Sequence, residues 1–251
     1  MKKTYWLVVL TYAIMQLSSL IVVPILLITQ GVDSESEQFE QVYFQIVSNW
    51  SIFSFIVGLI IILFLLRHDL NNEPFRAEKA SLSSTIVWSI LGIFLAMFAQ
   101  GIAVNIETNL LGIKPGSENT QMIMEIVKAA PLFIIVTSIV APILEELIFR
   151  KIIFGSLYKR TNFFIAAIIS SLIFAVIHMD LKHTLVYTAM GLVFAFLYVK
   201  TNRIIVPIMA HVAMNTIAVS MQFIYGDDIE KMIQDWEQMQ QVQAIIGGLF
   251  Q

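Results

Sequence analysis

Hydrophobic positions along the chain gather into seven long blocks with little polar interruption, at residues 5–29, 43–66, 84–106, 130–150, 163–179, 184–199 and 204–225. An α-helix rises ~1.5 Å per residue, so about 20 apolar residues cross the ~30 Å hydrocarbon core of a bilayer. The pattern predicts an all-α, polytopic membrane bundle of seven transmembrane helices. Past the last block it changes: Ile229, Met232, Ile233, Trp236, Met239 and Val242 recur every three or four positions among Asp, Glu, Lys and Gln. That spacing predicts an amphipathic helix lying on the membrane surface. No internal repeat and no soluble accessory domain interrupts the series. The 251 residues therefore read as one integral-membrane domain, with its chemistry confined to a core at 130–225.

Composition narrows the function. Hydrophobic residues make up 58% of the chain and charged residues 13%, against about 25% charged in soluble domains, which excludes a soluble enzyme. The chain has no cysteine, so a disulfide framework, a thiolate zinc site and a cysteine nucleophile are excluded too. A net charge of -3 with no basic stripe excludes nucleic acid as a partner and leaves the lipid bilayer. With the amino terminus in the cytoplasm, the inside segments collect Lys2, Lys3, Arg67, Arg76, Lys79, Arg150, Lys151, Lys159, Arg160, Lys200 and Arg203, 11 of the 15 basic residues. Lys114, Lys128, Lys182 and Lys231 fall outside. That bias predicts a multi-pass protein of the cell membrane with its carboxyl terminus outside.

Ionisable residues at bilayer depth cost about 2.5–3.5 kcal/mol each on insertion scales, so each needs a partner or a purpose. In the fourth block Glu145 and Glu146 interrupt an apolar helix. Glu146 and Arg150, four apart, share a face, while Glu145 points about 100° away. His178 ends the fifth block one turn after Phe174, and His211 and Asn215 lie four apart on one face of the seventh. Counted at ~1.5 Å per residue from the cytoplasmic ends, His178 lies roughly 23 Å deep, with Asn215 and His211 at roughly 17 and 11 Å. Glu145 falls between about 7 and 20 Å, according to whether its helix stops near Arg150 or runs on to Tyr158. Three helices can thus bring a carboxylate, two imidazoles and an amide to one buried spot. A glutamate beside an imidazole can deprotonate water, and an imidazole N–H with a carboxamide can stabilise an oxyanion. By contrast, Asp180 and His183 in the outer turn, and His68 after Arg67, read as solvated loop residues. Pro24, Pro142 and Pro207 read as kinks within spans.

In this order the motifs Glu145-Glu146-x-x-x-Arg150, Phe174-x-x-x-His178 and His211-x-x-x-Asn215 resemble the CPBP family. That family comprises the CAAX prenyl endopeptidases of the endoplasmic reticulum and the bacteriocin-processing, Abi-type proteins of bacteria. The whole chain is also similar to a Bacillota membrane peptidase of this kind. The resemblance implies an intramembrane endopeptidase acting on a peptide or membrane-protein substrate. It implies that Glu145 with His178 activates the water and that His211 with Asn215 forms the oxyanion hole. Glu146, Arg150 and Phe174 would support them. No cofactor is the first expectation. The alternative is zinc on His178, His211 and Glu145, although no HExxH spacing is present. The competing functions are a non-catalytic scaffold that binds a peptide or protein in the same cavity and a proton-coupled transporter.

Overall fold

The computed structural model describes residues 2–36, 38–70, 75 and 78–249, except the side chains of residues 237 and 240–249. Arg76 and the side chain of Val242 lie outside the described residues. Among those described the chain is all-helical, without strands. In chain order the helices are α1 (Lys3–Thr29, jointed at Ser18), α2 (Phe39–Leu66), α3 (Leu82–Asn109) and α4 (Glu118–Ala129). There follow α5 (133–158), α6 (Phe163–Val176), α7 (Thr184–Thr201) and α8 (Ile205–Leu249). Five segments are long and apolar enough to cross a membrane: α1, α2, α3, α7 with its leading turn (Leu181–Thr201), and α8 as far as Trp236. The remaining two expected spans are helical as well. Block 163–179 is the 14-residue α6, and block 130–150 is α5, which runs on to Tyr158. Hydrocarbon offers no partner to a bare amide, so helices are what these apolar blocks can form.

Where chain leaves helix, side chains close the ends. Ser81 Oγ accepts the Ser84 amide at 3.3 Å and Asn162 Oδ1 the Ile165 amide at 3.0 Å, capping α3 and α6. Asn202, at φ 48°, ends α7 in the left-handed conformation.

The most buried helix is α5. Leu144, Leu147, Ile148, Phe149, Ile152 and Phe154 pack against Val8 and Tyr12 of α1, Ile62 and Leu66 of α2, Phe174 of α6 and Tyr198 of α7. The outer faces of α1 to α3 expose Leu10, Ile14, Leu20, Phe64, Phe94 and Phe98, the surface expected toward lipid. Helices α6 and α7 touch closely at a glycine: a Cβ on Gly191 would stand 3.1 Å from Ser171 Cα.

The prolines differ in effect. Pro142 has no N–H to give to the preceding turn, and that turn, Val136–Val140, is wound as π-helix, as is Glu146–Phe154 beyond it. Such widened turns recur at functional sites. Pro207, expected to kink a span, is instead the third residue of α8, where a missing N–H leaves no bond unmade. The amphipathic segment continues α8 beyond a break at Tyr225 (φ -118°, ψ 15°). A Cβ on Gly116 would meet its Ile233 at 3.4 Å.

Candidate active site

The two adjacent carboxylates of α5 face different surroundings. Glu146 is fully buried, its Oε2 3.3 Å from Arg150 Nε one turn on. Its Oε1 accepts a 2.9 Å hydrogen bond from His211 Nδ1 of α8. Arg150 is also fully buried, and its guanidinium lies over Phe174 at 4.4 Å and Phe194 at 5.4 Å. Cation–π contacts of this kind strengthen when desolvated.

Glu145 keeps 12% of its side chain exposed and makes no hydrogen bond among the described residues. Its Oε2 stands 3.7 Å from His211 Nε2, beyond hydrogen-bond length. The charge of Glu145 also acts on His178, Tyr12 and Tyr187. The carboxylate thus stands near polar side chains of α1, α7 and α8 and the one just past α6. Since α5 ends at Tyr158, Glu145 lies about 20 Å along the helix from that end.

His178 stands just past the end of α6, before Met179 turns the chain into the left-handed region at φ 55°. Its Nδ1–H donates to the Phe174 carbonyl at 2.7 Å. In the neutral ring Nε2 is therefore a bare acceptor. The ring meets Phe174 edge-on at 4.6 Å and stacks on Tyr187 at 4.2 Å. Phe174 is a hub, touching Phe149 and His211 as well. His211 lies flat on Phe194 at 4.6 Å.

Glu145, Glu146, Arg150, Phe174 and His211 are thus brought into direct contact, with His178 joined through Phe174 and the charge of Glu145. Asn215 lies one turn beyond His211, and its amide donates to the Thr137 carbonyl of α5 at 3.3 Å. That bond leaves one N–H free.

The zinc alternative would draw on His178, His211 and Glu145. Among the described residues no three His, Cys, Asp or Glu side chains surround a point that a metal ion could occupy. Glu146 engages Nδ1 of His211 and the Phe174 carbonyl Nδ1 of His178, and these bonds leave Nε2 of each ring untaken.

The outer turn corrects one expectation. Asp180 and His183 are not solvated: Asp180 is buried, and His183 is clasped between Glu107 Oε2 at 2.7 Å and the Gly116 carbonyl at 2.9 Å. Glu107 itself is buried and takes the Leu185 and Val186 amides at 3.1 and 3.2 Å. His68 is exposed, as expected. Sequence reasoning missed Glu107, Tyr187 and Tyr12. A lone carboxylate near the end of an apolar helix was the one local signal for Glu107. The two tyrosines carry none.

Fold and site define a multi-pass membrane protein that gathers carboxylates and imidazoles between its helices. A family model described as "Type II CAAX prenyl endopeptidase Rce1-like" matches residues 127–217, which hold all three motifs. Over its full length the chain is 48% identical to "Putative membrane peptidase YdiL" of Bacillus subtilis (strain 168), covering all of that protein. It is 38% identical to "Membrane-embedded CAAX protease MroQ" of Staphylococcus aureus (strain USA300), over 58% of this chain and 62% of that one. No solved structure matches it. The chain belongs to the Rce1-like CAAX protease family and is a membrane endopeptidase.

Proposed function

We propose that this endopeptidase cuts a membrane-associated or hydrophobic peptide with a water held by Glu145 and His178, without a metal. The observation that carries the reading is Glu145, which has no hydrogen bond of its own, faces His211 Nε2 at 3.7 Å and acts electrostatically on His178. Water bridging the carboxylate and the bare Nε2 of His178 would lose a proton as its oxygen attacks the scissile carbonyl. The proton then passes to the leaving amine as the tetrahedral intermediate collapses. Because His211 Nδ1–H is committed to Glu146, His211 can donate through Nε2 only as the imidazolium. It and the free N–H of Asn215 would hold the oxyanion. Glu146 and Arg150 fix the ring of His211 and take no proton. The bias of basic residues supports a cytoplasmic amino terminus and a carboxyl terminus on the opposite face.

The test maps new peptide termini in membranes and medium from cells carrying the wild-type chain or Glu145→Gln at matched expression. Termini present only with the wild type are expected, and cleavage should fall by about 10²–10⁴-fold in the variant. Equal cleavage by purified Glu145→Gln protein would overturn the reading. So would a phenotype that the variant fully complements, which is the outcome a scaffold requires.

A further inference from the structure

His178 stands where helical backbone stops, so its ring is not aimed by α6 alone. Three contacts hold it: the 2.7 Å bond from Nδ1 to the Phe174 carbonyl, the Phe174 ring edge-on at 4.6 Å, and the face of Tyr187, whose ring lies 4.2 Å away at 27°. The hydrogen bond leaves the ring free to rock about it; a stacked aromatic face restrains that motion. Tyr187 is held in turn. Its hydroxyl accepts a hydrogen bond from Asn119 Nδ2 of α4 at 3.5 Å. The start of α4 is tied to the turn after His178 by Ser117 Oγ on Asp180 at 2.6 Å, Lys182 on Glu118 at 2.7 Å, and His183 on the Gly116 carbonyl at 2.9 Å. Glu107 then joins His183 to the Leu185 and Val186 amides of α7, immediately before Tyr187.

We propose that Tyr187 is a positioning residue for peptide hydrolysis, its ring fixing the plane of the His178 imidazole so that Nε2 stays aimed at the attacking water. The proposal rests on the roles given above to Glu145 and His178. Tyr187 touches no reacting atom. Its hydroxyl and the clamp around His183 hold the ring, and the ring holds His178.

The test has two arms on the purified full-length protein in detergent micelles. The chain has four histidines, so labelling with [13Cε1]histidine yields four ring signals, with the His178 signal assigned from a His178→Gln variant. Tyr187→Leu should move the His178 signal while those of His68 and His183 stay in place; Tyr187→Phe should restore it. If the leucine variant shifts all four signals, Tyr187→Met is read instead. An unmoved His178 signal in a folded variant lacking the ring overturns the placement. The second arm measures hydrolysis of an internally quenched synthetic peptide spanning a Glu145-dependent cut. Loss of the ring should lower kcat by roughly 10- to 100-fold with KM within about twofold, and phenylalanine should recover kcat to within about threefold of wild type. A moved signal with unchanged kcat overturns the positioning role. Cleavage that survives Glu145→Gln overturns the assigned chemistry instead, and the first arm still decides where Tyr187 stands.

Discussion

The molecule joins a buried carboxylate to an imidazole twice, once inside the bundle and once at its outer end. Inside, Glu146 takes Nδ1–H of His211 at 2.9 Å; outside, Glu107 meets Nδ1 of His183 at 2.7 Å. Both carboxylates are buried, and both pairs join helices distant in sequence. They differ at the second ring nitrogen. His183 gives Nε2–H to the Gly116 carbonyl at 2.9 Å and has no nitrogen left. His211 turns Nε2 to Glu145 across 3.7 Å, too far for a hydrogen bond. The outer ring ties three chain segments together. The inner one keeps an atom for chemistry. Whether a histidine is a strut or a reactant is decided by its second nitrogen, which the first partner does not reveal.

Breaking the inner pair should have the larger effect. Glu146→Gln keeps an acceptor for His211 but strips Arg150 of its nearest counter-charge at a fully buried site. Removing one partner of such a pair destabilises by about 3–5 kcal/mol, which thermal unfolding in detergent would register as a large drop in midpoint. An unchanged midpoint would mean that Glu145 alone compensates Arg150. The two carboxylates would then be interchangeable.

The outer pair should yield a smaller loss of a different kind. His183→Gln leaves Glu107 its bonds to Leu185 and Val186 and removes one charge-assisted contact, worth about 1.5–3 kcal/mol. Cleavage should persist within roughly tenfold of wild type, whereas loss of a catalytic acid–base group removes about 10²–10⁴. If His183→Gln abolished cleavage while leaving the unfolding midpoint in place, the distinction between strut and reactant would fail.

An exposed pair marks the lower limit. Lys2 bonds Asp69 with more than half of its own side chain in solvent, so Lys2→Met should cost less than about 1 kcal/mol. That hydrogen bond raises the Lys2 ammonium above its usual value. A raised value means that the stabilisation is present at lower pH and lost as pH rises through it. The small midpoint difference between wild type and Lys2→Met should therefore be present at neutral pH and fade once the pH is raised through that elevated value.

Some of the site was legible because its clues are local. Glu146 and Arg150, Phe174 and His178, and His211 and Asn215 are each four residues apart, and a helix brings such residues to one face. Ionisable groups inside apolar blocks also announce themselves by their insertion cost. His183 and Asp180 misled for the converse reason: short loops are usually wet, and burial arrives only when α3, the start of α4 and Ile233 of α8 close around the turn. The widened turns of α5 left one trace, Pro142. Tyr187 left none, since an aromatic residue in an apolar span looks like any lipid-facing or packing residue.

By itself, then, the sequence determined that this is a helical membrane protein with ionisable residues inside its apolar blocks, since hydrophobic transfer and helical periodicity act over a few neighbouring positions. Tertiary structure decided which partners those residues take and which polar atoms it leaves unbonded. His211 finds Glu146 across 65 positions and His183 finds Glu107 across 76. Contacts over such separations depend on how whole helices pack, and no local pattern in the chain encodes them.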